Sequence, residues 1–351
     1  MTKILSHHSI SLRNKPVSEL SVPCQTALAP MQDVTGLPFM SVIARRGAPD
    51  FFFTEFFRVH KNSRLSPEIL SSITRNPSSS PVFAQIIGEN LMDVQRTIKD
   101  LKKYPIAGVD LNLGCPAPRV YKKNVGGGLL RDPDKIDKLL RLMRECLEGN
   151  LTVKMRIGFE DDRNFSEILS LIVKNKVNLL SLHVRTVKGG YKTPPQYEYV
   201  KKAVEYIGDR CPVLANGSIE TAEDAVFLRK KLGTFGVMIG RAAIKNPWIF
   251  RQIRELEDGI PVFIPVREDF YDYCIELYKA LERPQMEERK MVSRIKKFLN
   301  FIGPSIPDDI GFINDMRRST TKGELFGVFE KYLTGNGLGE LPVSFRPQFN
   351  S

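Results

Sequence analysis

The chain has 351 residues, 42% hydrophobic and 26% charged, a composition that buries a core and excludes a disordered or collagen-like polymer. Its 52 basic and 40 acidic residues leave a formal charge of +12, which assists binding to a polyanion without requiring one. Basic and acidic residues balance from Pro261 onward, so the excess lies in the earlier part of the chain and no basic tail exists.

The first 25 residues are irregular, apart from a short hairpin expected around Arg13 to Val22. From Thr26 a rhythm sets in. Strands are expected at Thr26–Met31, Phe51–Phe56, Pro81–Gly88, Gly108–Gly114, Leu151–Gly158, Leu179–Arg185, Cys211–Gly217 and Gly236–Arg241. They begin 25 to 43 residues apart, each followed by room for a helix, as at Pro38–Arg46, Leu91–Leu101, Pro133–Leu147, Phe165–Lys174, Tyr197–Ile207 and Thr221–Lys231. Such alternation calls for parallel pairing with helical crossovers. Eight repeats favour a closed α/β (β/α)8 TIM barrel over an open doubly wound sheet. The open sheet would carry G-x-G-x-x-G after its first strand, where A-P-M-Q-D-V-T-G stands. Beyond Phe250 the strand pattern stops, and Asp269–Leu281, Glu287–Phe301 and Thr321–Tyr332 read as helices separated by prolines. The expected division is a catalytic barrel domain at 1–258 and a smaller all-helical domain at 259–351 with a short mobile C-terminal tail.

The segment Gly108 to Pro116 is the most informative. Val109, Leu111 and Leu113 alternate with Asp110 and Asn112, which puts the polar pair on the face away from the helices. The strand exits through Gly114-Cys115-Pro116, so one thiol stands just past its C-terminal end, the catalytic rim of a barrel. A buried structural cysteine in an ordinary βα loop is the plain alternative. Lys154 and Arg156 share one strand face, as do His183 and Arg185, and Gln85 interrupts an apolar run. Gln85 and His183 singly read equally well as satisfied core groups. Two cationic pairs on neighbouring interior strands do not, because an unpaired buried charge is too costly. On the last two strands Asn216, Gly217, Gly240 and Arg241 offer bared backbone N–H groups and a guanidinium fork, the usual makings of a barrel phosphate site; two sharp turns with a surface arginine is the rival. Val125-Gly126-Gly127-Gly128-Leu129, followed by Arg131, reads as a flexible loop near Cys115 that either permits close approach of a substrate or is merely a turn before the helix at Pro133.

Several chemistries are set aside. Only four histidines exist, none in H-E-x-x-H, and no metal site is expected. No G-x-x-x-x-G-K-[ST] or G-x-S-x-G is present, and no histidine neighbours Cys115 in the motif, against a Cys–His hydrolase. Five irregularly spaced cysteines without C-x-x-C point to a reducing, cytoplasmic setting. No leader or membrane span is expected, and the protein is read as a monomer.

The motifs A-P-M-Q-D-V-T, F-F-F-T-E-F, A-Q-I-I-G, D-L-N-L-G-C-P-A-P, V-G-G-G-L-L-R, V-K-M-R-I-G, L-H-V-R-T, L-A-N-G-S-I and V-M-I-G-R-A-A-I-K-N-P-W-I-F follow one another across residues 26 to 255. In that order the chain resembles the tRNA-dihydrouridine synthases, flavin enzymes that reduce uridines in tRNA. The resemblance implies FMN as cofactor, NADPH or NADH as reductant, tRNA as substrate and an RNA-binding role for the helical domain. It implies that Pro30, Met31, Gln85, Lys154, His183, Asn216, Gly217, Gly240 and Arg241 contact the cofactor, and that Asn112, Arg156 and Arg185 place the uracil. Lys122, Lys123 and Arg131 beside the thiol loop, with Arg289, Lys290, Arg294, Lys296 and Lys297, offer phosphate contacts, although the last five read equally as a solvated face balanced by Glu287 and Glu288. The implied reaction passes hydride from the flavin N5 to uracil C6 and a proton from Cys115 to C5, a role suited to a thiol because ordinary thiols are mostly protonated at neutral pH. The rival readings are a flavin oxidoreductase acting on free pyrimidines, which would not need the helical domain, and a silent RNA-binding protein that kept the barrel as scaffold.

Overall fold

The computed structural model describes residue 17, residues 25–306 and residues 308–334. The tail and, apart from Val17, the hairpin expected around Arg13 to Val22 lie outside the described residues. Nine strands form one parallel sheet: β1 (Gln25–Leu28), β2 (Phe51–Phe53), β3 (Phe57–Arg58), β4 (Val82–Ile87), β5 (Gly108–Leu113), β6 (Asn150–Arg156), β7 (Leu179–His183), β8 (Val213–Asn216) and β9 (Gly236–Ile239). β1 pairs with both β2 and β9, and β2 and β3 both pair with β4, so the sheet closes into a barrel of eight staves.

The second stave, expected as one strand at Phe51–Phe56, is two pieces. Thr54 ends the first: its N–H donates to Phe83 O at 2.9 Å, while its hydroxyl accepts from Gln85 N at 3.1 Å in place of a ladder carbonyl. Glu55 and Phe56 are thereby released from the sheet before pairing resumes at Phe57.

Inside the barrel, polarity rises toward the C-terminal ends of the strands. The floor is apolar, with Ala27, Phe51, Phe53, Phe83, Leu179, Leu214 and Met238 in one cluster and the Phe53 and Phe83 rings stacked at 5.0 Å. One step up, Gln85, Asp110 and Thr152 stand in register. At the top Asn112 pairs in register with Lys154, Arg156 with His183, and His183 with Asn216. The opposite faces, including Val109, Leu111 and Leu113, join the larger core beneath the helices.

Local chemistry sets the helix ends. Asp132 caps the helix Pro133–Cys146 by accepting from Lys135 N at 3.0 Å, with proline in the first turn, and Ile136, Leu139, Leu140 and Met143 form its buried stripe. The helix Ala222–Leu232 starts with a Thr221–Asp224 capping box and stops at left-handed Gly233.

After the helices Arg241–Lys245 and Ile249–Glu257 that close the barrel, the described residues continue as Arg267–Leu281, Glu288–Ile302, Asp309–Arg318 and Lys322–Leu333. Their apolar faces share the core of the barrel wall, where Phe298 lies 5.6 Å from Phe39 of helix Leu37–Gly47. A polar knot sits in the seam. The Arg46 guanidinium sits 5.2 Å from the Tyr273 ring and pairs with Glu276, and the Tyr273 hydroxyl donates to Ile244 O at 3.0 Å. Among the described residues no helix is long and apolar enough to cross a membrane.

Candidate active site

A cavity of about 280 Å³ opens at the C-terminal ends of the strands. Of the residues singled out in the sequence, Pro30, Met31, Asn112, Cys115, Lys154, Arg156, His183, Asn216, Gly217, Gly240 and Arg241 line it. Gln85 lies beneath it, wholly buried. Arg185 stands beside it, and Lys122 and Lys123 are exposed on the outer loop.

The thiol is positioned by a hydrogen-bonded column rising through the barrel. Thr152 Oγ1 and Gln85 Nε2 donate to the two carboxyl oxygens of Asp110, at 2.6 and 2.7 Å. Gln85 Oε1 accepts from Asn112 Nδ2 at 2.8 Å, and Asn112 Oδ1 accepts from the backbone N–H groups of Gly114 and Cys115 at 3.0 and 2.9 Å. The last two bonds form an Asx turn, which bends the chain out of β5 and aims Cys115 at the cavity. Burial pushes the Asp110 carboxyl up to about 6, against its two hydrogen bonds and nearby Lys154.

Behind the thiol, the glycine run is no flexible loop. Gly126–Arg131 forms a 3-10 turn in which Gly126 to Leu130 are buried, and Gly127 N donates to Cys115 O at 3.3 Å. A Cβ on Gly127 would stand 2.5 Å from Val187 Cγ2 and 2.9 Å from Cys115 O, so the bare backbone is needed for this approach.

Three cations and a neutral imidazole surround the middle of the cavity. Lys154 is pushed down to about 8, first by burial and then by Arg156. Arg156 is tied to backbone, donating through Nε to Gly114 O and through Nη1 to Thr186 O, both at 3.0 Å. Arg185 donates to Thr193 O at 2.6 Å and Ser218 Oγ at 2.7 Å, while its buried Nη1 has no partner among the described residues. Burial, and then Arg156, Lys154, Arg185 and Arg241, hold His183 well below the ordinary imidazole range, so it is neutral. Its buried Nδ1 also lacks a partner among the described residues.

At the far end Gly217 has φ +105°, and a Cβ there would stand 2.9 Å from His183 Nε2. Asn216 Nδ2 donates to Met238 O at 2.7 Å, locking β8 to β9, and Arg241 opens the next short helix. Tyr191, unnoticed in the sequence, lies over this end. Its ring centre is 4.2 Å from the Arg241 guanidinium carbon and 5.5 Å from that of Arg156. The only local signal is a lone aromatic after the pair Gly189-Gly190.

The remaining basic candidates divide. Arg131 is exposed but tied to its own loop, donating to Gly128 O at 3.2 Å and lying 4.2 Å from the Phe159 ring centre. Lys290 pairs with Glu287 at 3.0 Å, Arg294 with Glu68 at 3.3 Å, and Lys296 donates to Arg317 O at 2.9 Å. Arg289 and Lys297 have no ion pair among the described residues.

Residues 27–324 match the family model for dihydrouridine synthase (Dus). A tRNA-dihydrouridine(16) synthase of Neisseria meningitidis is 29% identical over 286 residues, covering 77% of this chain and 85% of that protein. A tRNA-dihydrouridine(16) synthase of Aquipseudomonas alcaligenes is 26% identical and covers 84% and 95%. A probable tRNA-dihydrouridine synthase of Staphylococcus aureus is 30% identical and covers 73% and 81%. With a match running from the first strand into the last helix, and a thiol at the mouth of a closed barrel, the chain belongs to the dihydrouridine synthase family.

Proposed function

We propose that this protein is an FMN-dependent enzyme that reduces the C5–C6 double bond of a uridine in tRNA to 5,6-dihydrouridine, with NADPH or NADH as reductant. The observation that carries the reading is one cavity with a thiol at one end and a phosphate-type cradle at the other. The names of the relatives supply the substrate class.

The residues present fit FMN. Gly217 and Gly240 leave backbone bare where a phosphate would approach, Arg241 supplies a charged fork, and His183 and Arg185 hold buried nitrogens without partners among the described residues. When bound, FMN would supply the hydride that uracil C6 receives. Lys154 would add positive charge to the site below about pH 8. Cys115 would hold the proton for C5, and Asn112, spent on the Asx turn and Gln85, keeps one amide hydrogen for the base. Arg156 supports the thiol loop through Gly114 O, so its first role is to position it.

The helices after residue 258 would serve as the RNA-binding domain, since a base drawn into this mouth must leave its stack, which backbone contacts have to offset. The direct test is to map dihydrouridine in tRNA from cells lacking the gene. Loss of the modified base at a defined position, restored by the wild-type protein, is expected. Intact dihydrouridine, or purified protein that reduces free uracil and not tRNA, would reject the reading.

A further inference from the structure

A second cavity, about 370 Å³ against about 280 Å³ for the first, lies between the barrel rim and the C-terminal helices. Gln32, in the loop after β1, lines both, so the two adjoin. The others that matter come from distant parts of the chain: Glu55 from the gap in the second stave, Ser72 from the helix Pro67–Thr74, Arg283 from the loop after Arg267–Leu281, and Arg294 and Lys297 from Glu288–Ile302.

The interior holds polar groups with hydrogen-bonding capacity to spare. Ser72 is 1% exposed, and its hydroxyl has no partner among the described residues, although both Ser71 and Thr74 of the same helix return their hydroxyls to backbone carbonyls. The buried Oε1 of Gln32 is likewise without a donor. Glu55 adds a carboxyl that burial pushes up to about 6, against hydrogen bonds from the backbone N–H groups of Asp33 and Val34. Two of these three groups are acceptors, and the hydroxyl can act either way. The helix side is cationic: Arg283 and Arg294 converge on one carboxylate, Glu68, and Lys297 is exposed with no ion pair among the described residues. Unmet groups at Gln32 and Ser72 and a buried carboxyl, beneath a cationic edge, match a nucleotide with its base inside and its phosphate at the edge.

We propose that this cavity receives a second nucleotide of the bound RNA, one whose base presents N–H donors, unstacked beside the reacting uridine. The inference rests on the tRNA reading given above. It assigns Gln32 to the partition between two adjacent base sites, Glu55 and Ser72 to recognition of the second base, and Lys297 to its phosphate. Holding two bases out of the stack costs more than holding one, so the second site has to contribute to positioning the first.

The test is 2′-hydroxyl acylation of tRNA bound to the full-length holoenzyme, read at single-nucleotide resolution, alongside steady-state kinetics. Wild type is expected to expose two positions, the uridine that is reduced and one near neighbour. Ser72→Leu, which fills the cavity, is expected to lose the second signal and at least tenfold in kcat/KM for tRNA, with flavin content and the rate of flavin reduction by NADPH unchanged. Glu55→Gln keeps the shape and serves if the leucine variant does not fold; a three- to tenfold rise in KM for tRNA is expected. A single exposed position in the wild-type complex, or wild-type kinetics for both variants, overturns the inference while leaving the function intact. Wild-type protein that reduces no tRNA overturns the function itself, and the second site with it.

Discussion

Cys115 owes its place to two neighbours that do no chemistry themselves, Asn112 in front and Gly127 behind. Replacing it with alanine removes the proposed proton donor and leaves both supports. Cys115→Ala is therefore expected to keep its flavin and to reduce tRNA on the order of 10² to 10⁴ times more slowly, seen in single-turnover oxidation of prereduced enzyme by tRNA. Lys154 makes the opposite bargain between fold and function. In the folded protein it gives up its proton near pH 8, whereas its ordinary value is 10.5. The folded-state pKa is depressed, so holding the charge opposes folding below about pH 8, and that opposition fades as pH rises from 8 to 10.5. Lys154→Met is expected to raise stability at pH 7 by roughly 1–3 kcal/mol in a denaturant melt. The same change should lower tRNA reduction and abolish a fall in wild-type rate as pH passes about 8. Equal melting of the two proteins at pH 7 would contradict the buried charge.

At the scale of elements, the 3-10 turn Gly126–Arg131 is the part on which the thiol loop leans. Gly127→Ala would press a methyl into Val187 and Cys115 O. The expected cost is about 1–3 kcal/mol in a thermal or denaturant melt, with a reduced kcat and normal flavin content, because the cradle at Gly217 and Gly240 is untouched. The sequence made β5 legible because alternation reports directly which side chains face inward, and Asp110 and Asn112 do so. It also placed most of the rim, since glycine and arginine at strand ends carry their reason locally. Gln85 shows where that legibility stops. Its inward direction was readable, but whether it met the cavity or stood beneath it depended on the stagger between β4 and β5, which no single strand encodes. The break at Thr54 was hidden for a similar reason, because a hydroxyl replacing a ladder carbonyl leaves no trace in an apolar pattern. The glycine run is the turn before Pro133 that its position allowed, but its burial against Val187 and Cys115 was hidden because those contacts come from elsewhere in the chain. Tyr191 and the cavity shared by Gln32, Glu55 and Ser72 arise from segments far apart in the chain, and only packing brings them together.

For the molecule as a whole, barrel and C-terminal helices share one core, and the polar knot at Arg46, Tyr273 and Glu276 sits in it. Tyr273 is buried and its hydroxyl reaches across to Ile244, in the five-residue helix that begins with Arg241. Tyr273→Phe keeps the ring and deletes that single bond, which leaves the Ile244 carbonyl without this donor at a cost of about 1–3 kcal/mol. Faster flavin release from this variant, followed by fluorescence on dilution, is the expected result; an unchanged rate would show that the bond steadies the wall and nothing beyond it.

The same hydroxyl has a wider consequence. It works as a tie-rod between the surface proposed to grip RNA and the bracket proposed to grip the flavin phosphate. If docking stiffens one end, the other is stiffened too, and by reciprocity an enzyme charged with flavin would hold its RNA more tightly than one stripped of it.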